Sequence, residues 1–212
     1  MLHVPQAPAA ALRSVETALH SPTAVHDPRT SSRLHASSPL RVGADTLRPE
    51  LPLPVHEMTG IREESGPGTQ LTGWRFLLRG TGAKAGEALG AADAVLTADG
   101  WTFGHFREGP YVSSSLRALH EAHALADGYQ PRLLFVPELY MLTLWLCRDR
   151  TADPCTGTPA DGDLLIPLAP APPGIPAHQP QRADTLLPLL ARRVVPSPLT
   201  PRTTDTGLAS AN

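Results

Sequence analysis

The clearest strand signal in the chain is the stretch Thr72-Gly-Trp-Arg-Phe-Leu-Leu-Arg79. Large apolar residues alternate in it with smaller or charged ones: Trp74, Phe76 and Leu78 against positions that include Arg75 and Arg79. Because successive side chains of a strand point to opposite faces, the period of two places the large apolar side chains on one face and both arginines on the other. Such a strand is typical of a sheet with one face on a core and the other near water.

The elements around this strand follow an order typical of an α+β domain. The sequence predicts strands at Val55–Ile61, Thr72–Arg79, Trp101–Arg107, Arg132–Val136 and Asp163–Leu168, and helices at Ala83–Thr97, Tyr111–Asp127 and Ala183–Val195. Leu139–Cys147 is apolar on both faces, which fits either a central strand or a buried helix. We therefore expect one α+β domain, with an antiparallel or mixed sheet of about five strands and two or three helices packed on it.

Proline sets the predicted limits of this domain. Eight of the 24 prolines fall in residues 1–54 and eight in 154–180, whereas 55–153 holds only four. Dense proline does not fit inside helices or central strands, because proline fixes φ and has no N–H to donate. We predict a disordered Pro-rich region at 1–54, a folded domain at 55–195 with a Pro-rich strap at 169–181, and a disordered tail at 196–212.

One helix is conceivable inside the first predicted tail. Leu12, Val15 and Leu19 repeat at helical spacing within Ala9–His20, between Pro8 and Pro22. A helix of about three turns is too short to be stable alone. We therefore expect it either to dock on the domain or not to form.

Charge and hydropathy narrow the classes of partner. The formal net charge is −2, and the arginines are scattered rather than gathered into the basic face of a nucleic-acid binder. The longest apolar stretch, Leu133–Cys147, is interrupted by Pro137 and Glu138 and is shorter than a membrane span. With no secretory signal at the start, we expect a cytoplasmic protein that binds neither nucleic acid nor membrane. A single lysine among 18 basic residues indicates a GC-rich bacterial source.

A glycine-rich stretch, Gly80-Thr-Gly-Ala-Lys-Ala-Gly86, follows the clearest strand and precedes a predicted helix. Phosphate-binding loops occupy this context, since their glycines let the backbone approach an anion at a helix start. The spacing G-x-G-x-x-x-G matches neither the dinucleotide-binding nor the P-loop signature. We interpret it as a flexible turn, and we predict no cofactor.

Two histidines on the predicted helix Tyr111–Asp127 are candidate metal ligands. His120 and His123 lie about 60° apart around a helix, close enough for both imidazoles to reach one ion. The sequence is not H-E-x-x-H, and a third ligand could come from His105 or Glu108 if the strand Trp101–Arg107 packs beside this helix. The simpler interpretation is a neutral, hydrogen-bonded histidine at the edge of the core.

The predicted strand Trp101–Arg107 supplies the other candidates. Alternation places Trp101, Phe103 and His105 on one face, which is then either core or the wall of a pocket. The candidate ligand pocket therefore consists of Trp101, His105, Glu108, His120 and His123, with the metal undetermined. No catalytic set is predicted, since serines 113–115 lack the context of a nucleophile elbow.

The segment Pro167–Pro176 contains three overlapping P-x-x-P spacings. These favour a polyproline II conformation that a partner protein could bind, or they simply form a strap across the domain. Without a convincing catalytic set, our leading hypothesis is a non-enzymatic protein-interaction or accessory module. It would use the Pro-rich segments or an exposed sheet face. The alternative is a small-ligand-binding protein, or a metal-dependent enzyme, with a His/Glu site at the end of the sheet.

Overall fold

The alternating stretch lies in strand β2 (Gly68–Gly80) of the computed structural model, which describes residues 1–21, 47–61, 67–80, 88–125 and 128–194. Trp74, Phe76 and Leu78 are buried together against helix α1 (Ala9–Leu19). Arg75 lies on the opposite face, where it meets Asp93. The predicted division of this strand into an apolar face and an arginine face is confirmed.

The described residues form eight strands and three α-helices in a single α+β domain. The other elements are β1 (Leu47–Thr59), β3 (Gly90–Thr97), β4 (Gly100–Arg107), α2 (Pro110–His123), β5 (Gln130–Val136), a 3₁₀ turn (Pro137–Leu139), β6 (Met141–Cys147), β7 (Leu164–Pro167), β8 (Gln181–Arg182) and α3 (Ala183–Arg193). The sheet order is β4-β3-β2-β1-β5-β6-β7-β8. The sheet is mixed, because β1 and β5 are parallel and the other neighbours are antiparallel. Within the described ranges, no helix is both long and apolar enough to cross a membrane.

The sheet has eight strands rather than about five, and two of the additional strands have clear causes. Met141–Cys147 is a central strand between β5 and β7, and all seven of its residues are buried, which explains its apolar character on both faces. The predicted helix Ala83–Thr97 is wrong over Gly90–Thr97, which forms β3. Ala92 and Ala94 of β3 are fully buried beside α1, so their small side chains serve close helix–sheet packing rather than helix formation. Residues 81–87, and with them most of the glycine-rich stretch, lie outside the described residues.

The chain joins the fold well before the predicted boundary at Val55. Helix α1 forms and docks, and β1 begins at Leu47, so the prediction of disorder over 1–54 is wrong for these residues. One of the three prolines of β1, Pro52, lies where the pairing with β2 shifts register between Glu50 and Leu53, and Leu51 there has φ 48°. Such a bulge takes Pro52 out of the hydrogen-bonded ladder. Residues 22–46 and 195–212 lie outside the described residues.

Helices cover both faces of the sheet. Helix α2 packs on one face, which we call the α2 face, over a core that includes Leu53, Leu133 and Leu144. Helix α1 covers the β2–β4 half of the opposite face, and α3 covers the β5–β7 half. Helix α2 packs chiefly on the β5–β7 half, so no helix of the described residues lies over part of the α2 face beside β2, β3 and β4. That part of the sheet borders the cavity described below.

The segment between β6 and β7, residues 148–163, folds over the opposite face and is held by a buried arginine. Arg132 of β5 is 1% exposed, and its guanidinium lies 4.6 Å from the centre of the Trp145 ring. Its nitrogens donate to Gln130 Oε1 at 2.8 Å and to the carbonyl oxygens of Thr156 and Asp153 at 2.5 and 3.0 Å. The buried guanidinium of Arg132 therefore holds residues 153–156 of this segment against the sheet through hydrogen bonds to their backbone.

The Pro-rich segment between β7 and β8 lies against α2. The Ser114 hydroxyl of α2 accepts a hydrogen bond from the Ala169 N–H at 2.7 Å and lies 3.2 Å from His178 Nε2. The backbone N–H of Leu168 donates to Leu142, and that of His178 donates to Pro167. These bonds attach the segment to α2 and to the sheet.

A glycine in β2 permits the close approach of β3. A Cβ at Gly73 would overlap the carbonyl oxygen of Ala94, and relief would require the backbone to move. We expect Gly73→Ala to lower the free energy of unfolding by about 1–3 kcal/mol, the usual cost of overpacking. The matched control is Gly68→Ala in the same strand, where an added Cβ meets nothing within 4 Å. Urea unfolding of both variants checks this, and equal losses would contradict it.

Candidate functional site

A β-bulge in β4 turns His105 toward the α2 face. Asp93 of β3 pairs with His105, but the next residue, Ala94, pairs with Phe103, so Gly104 has no partner of its own. One extra residue reverses the alternation of side chains from that point onward. Phe103 consequently packs, together with Trp101, against the apolar side chains that contact α1, while His105 faces Asp93. The prediction that Trp101, Phe103 and His105 share a face is therefore wrong.

Four side chains from β2, β3 and β4 meet on the α2 face, and we call them the Asp93 cluster: Arg75, Asp93, His105 and Arg107. Arg75 donates from Nε and Nη2 to the two carboxylate oxygens of Asp93, at 2.7 and 3.0 Å. Arg107 donates from Nε to Asp93 Oδ2 at 2.5 Å, and His105 Nε2 lies 3.4 Å from the same oxygen. Arg75 and Asp93 are only 6% and 7% exposed, whereas the side chain of Arg107 is 42% exposed.

The arginines fix the charge of this cluster. Burial alone would raise the pKa of Asp93, but the charges and hydrogen bonds of Arg75 and Arg107 outweigh it and lower the pKa to about 2. Burial also lowers the pKa of His105; Asp93 opposes this shift, and Arg107 and Arg75 add to it. Near neutral pH the carboxylate is therefore ionised and the imidazole neutral. The three charged members then sum to +1.

A cavity of about 380 Å³ opens beside the cluster, and we call it the Asp93 cavity. Its walls come from β1 to β5, the first turn of α2 and the start of β6. The apolar residues that line it include Val55, Val112, Phe135 and Leu142, and the polar ones include Glu57, Glu108 and Tyr111. The cavity therefore combines an apolar wall with a fixed, charged one.

Two tyrosines shape the α2 side of the cavity. The Tyr111 hydroxyl lies 3.1 and 3.0 Å from the carbonyl oxygens of Tyr140 and Pro170, and its single hydrogen is donated to one of them or shared between the two. Tyr140 follows the 3₁₀ turn with φ 49°, and it is 84% exposed. Partial burial raises the pKa of Tyr111, so its hydroxyl remains a donor well above neutral pH. These bonds hold the start of α2 to the Pro-rich segment.

The structure separates the predicted site residues into three places. His105 and Glu108 line the Asp93 cavity. His120 and His123 are exposed on α2 and line a second depression of about 1120 Å³, the α2 groove, whose apolar walls include Leu51, Leu116 and Leu119. Trp101 lies on the other side of the sheet.

Helix geometry explains the gap between the two histidine sites. Tyr111 lines the Asp93 cavity, and His120 follows nine residues later, about 13 Å along the helix axis. The predicted sharing of one metal by His120, His123 and either His105 or Glu108 is not seen in this arrangement. In the described part of the chain, no three His, Cys, Asp or Glu side chains are grouped so that they could hold a metal ion.

Sequence reasoning missed Asp93 as a functional candidate because its segment was interpreted as a helix. A usable signal exists in the pattern. If Ala91–Ala94 is a strand, Asp93 lies on the same face as Ala91. When that strand pairs with β2, Asp93 is directly opposite Arg75 on this face. An aspartate opposite an arginine on neighbouring strands is a favourable cross-strand pair.

The Asp93 cavity has the features of small-molecule sites: a volume of a few hundred cubic ångströms, mostly apolar walls and a few converging polar groups. Its charged wall is also pre-organised, because Asp93 holds both arginines in place. No protein-family model, curated protein or solved structure matches the chain, and the function is inferred from this geometry alone.

Proposed function

We propose that this protein binds a small molecule in the Asp93 cavity. The observation that carries the proposal is a buried carboxylate that holds two arginines against an open cavity with an apolar wall. Removing charges from water is costly, so a buried ion pair alone contributes little to stability. Its position beside the cavity, with Arg107 partly exposed, supports a role in recognising a ligand.

The protonation states favour recognition over proton transfer by Asp93. Both of its oxygens accept hydrogen bonds from arginines, and a carboxyl with a pKa of about 2 is a weak base near neutral pH. Asp93 is therefore a positioning residue for Arg75 and Arg107. His105, neutral and beside the same oxygen, adds a hydrogen-bonding group at the cavity wall.

A protein-interaction module is the second candidate, and the α2 groove supports it. The groove is larger than the Asp93 cavity, and its lining is mostly apolar, with Leu51, Leu116 and Leu119 among its residues. Contiguous apolar surface of this kind is typical of sites that bind other molecules. If this candidate is right, small apolar probes will bind along α2 and not beside Asp93.

A fragment screen with a blocked cavity tests the first proposal. Val95 is half-buried on β3 and lines the Asp93 cavity, so Val95→Trp should fill it. The matched control is Leu96→Trp, the same change at the next residue, whose exposed side chain points to the other face. We expect ligand-observed NMR to detect fragments that bind the wild type and Leu96→Trp but lose at least about tenfold in affinity for Val95→Trp, since Trp occupies their space.

The same screen also shows when the proposal fails. Fragments that bind both tryptophan variants equally do not occupy the Asp93 cavity. The complete absence of binding to the folded wild type would likewise contradict the proposal. The thermal unfolding midpoint of each variant confirms that it remains folded during the comparison.

A further inference from the structure

We infer that the ligand of the Asp93 cavity carries a flat aromatic ring, which stacks on Tyr140 at the opening of the cavity. The inference rests on the proposed function and names the class of ligand. Tyr140 is then a specificity-determining residue, because its ring distinguishes flat ligands from saturated ones of the same size. Three observations lead to it: the aromatic residues around the cavity, the exposure of Tyr140 and the way its backbone is held.

Aromatic residues are concentrated on one side of this cavity. They make up only 5% of the sequence, yet Tyr111, Phe135 and Tyr140 all line the Asp93 cavity. The three come from the start of α2, from β5 and from the residue before β6. In the part of the chain that the structure describes, no ring contact joins any two of them. Their faces are therefore not engaged with one another, and a ligand ring can pack against them.

The ring of Tyr140 lies at the opening of the cavity rather than in its packed wall, since the residue is 84% exposed. A single exposed apolar side chain is common on protein surfaces and means little alone. Tyr140 differs from such a side chain because it lines a cavity together with two other aromatic residues. Tyr140 is also the one aromatic residue among the large hydrophobic residues that are exposed in the described part of the chain.

The backbone of Tyr140 is held in a conformation that tyrosine rarely adopts. Its φ of 49° lies in the left-handed region, which is unfavourable for a residue with a large side chain. Its N–H donates to the carbonyl oxygen of Pro137 at 3.1 Å, and its own carbonyl oxygen lies 3.1 Å from the Tyr111 hydroxyl. Such conformations persist where the surrounding structure fixes them, and they cluster at ligand sites. A ligand that stacks on Tyr140 therefore meets a backbone that is already ordered, which lowers the entropic cost of binding.

Charge does not define the ligand, because side chains of both signs line the cavity: Arg75, Arg107, Asp93, Glu57 and Glu108. The ring is a feature on which recognition can depend instead. Offset-stacked and edge-to-face aromatic pairs are more stable than their buried area alone accounts for, because the positive edge of one ring meets the negative face of the other. This additional stability corresponds to about two- to tenfold in affinity.

Matched pairs of uncharged probes test the inference. Each pair carries one polar group on a flat ring and on its saturated counterpart: benzamide with cyclohexanecarboxamide, and benzyl alcohol with cyclohexylmethanol. The probes are titrated into the full chain and followed by NMR chemical shifts. A saturated ring has at least as much apolar surface, so burial of area alone favours it or leaves the pair equal. Stacking on Tyr140 predicts the opposite order, with the aromatic member binding about two- to tenfold more tightly.

Two substitutions at Tyr140 assign the preference to its ring. Tyr140→Leu keeps an apolar side chain but removes the ring, and it should bring the members of each pair to equal affinity. Tyr140→Phe keeps the ring and removes only the hydroxyl, so it should retain the preference. Both substitutions change an exposed side chain, and such changes usually have small effects on stability. In the wild type, nuclear Overhauser effects should connect the ring protons of benzamide with those of Tyr140.

The outcomes separate this inference from the proposed function. Equal affinities within each pair at the Asp93 cavity, or tighter binding of the saturated members, would overturn the aromatic ligand and leave small-molecule binding intact. An aromatic preference that survives in Tyr140→Leu, or that is lost in Tyr140→Phe, would overturn it as well. So would fragments that occupy the cavity when none of the four probes does. If no probe and no fragment bound at the cavity, the proposed function itself would fail.

Discussion

Replacing Asp93 with asparagine should lower the free energy of unfolding by about 3–5 kcal/mol, the usual cost of breaking a buried ion pair from one side. The substitution keeps the shape of the side chain but removes its charge. Arg75, which is 6% exposed, then loses its counter-ion, and Arg107 loses the carboxylate that orients it. Urea unfolding at neutral pH measures the loss.

An exposed ion pair on neighbouring strands provides the control. Glu50 of β1 lies 3.4 Å from Arg79 of β2, and both side chains are partly exposed. Glu50→Gln should change the free energy of unfolding by less than about 1 kcal/mol, because exposed pairs contribute little. If Asp93→Asn cost no more than Glu50→Gln, Asp93 could not be the buried organiser of the arginines.

The stability that depends on Asp93 should also disappear in acid. Its pKa of about 2 in the folded protein is below the ordinary value of 3.8, so the folded state binds this proton less readily than the unfolded state. The carboxylate therefore contributes its full stabilisation above about pH 4, and the contribution is lost as the pH falls through about 2. The difference in stability between wild type and Asp93→Asn should shrink over that interval.

The second large effect is expected from Arg132→Met, with a loss of about 2–4 kcal/mol. The substitution removes the donors that now bond to Gln130 and to the carbonyl oxygens of Asp153 and Thr156. Buried acceptors left without partners cost about 1–3 kcal/mol each, offset in part by removal of a buried charge. We expect the loss to be accompanied by faster amide hydrogen exchange across residues 148–163.

The control for this variant is Arg148→Met, the same substitution at an exposed position of the same segment. Its effect should stay within about 0.5 kcal/mol, as is usual for surface substitutions. If hydrogen exchange in residues 148–163 were as slow in Arg132→Met as in the wild type, another contact would have to hold the segment in place.

The sequence is informative about the fold where local patterns and tertiary packing agree. The alternation in β2 predicts which face of the strand is apolar, and this is observed. The spacing of Leu12, Val15 and Leu19 leaves open whether a helix docks or does not form, and the structure shows that it docks. The high alanine content is misleading in β3, because its alanines allow close packing of the strand against α1 and do not form a helix. The proline content is also misleading in β1, where a bulge removes Pro52 from the ladder while Pro49 and Pro54 keep partners in β2.

The candidate site is less accessible from sequence because it depends on two events that no local pattern encodes. One is the bulge at Gly104, which sends His105 to the face opposite Phe103. The other is the placement of β3 beside β2, which brings Asp93 to Arg75. His105 and Glu108 were identified as candidates, but Asp93 and Arg107, which define the cavity wall, were not.

The most direct test of the account is a backbone amide chemical-shift map of the full chain with its tightest-binding fragment. The account predicts that the largest shifts occur in β3 near Asp93, in β4 between His105 and Arg107, and in the first turn of α2. Those shifts should be absent in Val95→Trp. Shifts centred on residues 116–123 of the α2 groove, with Asp93 and its neighbours unchanged, would contradict it.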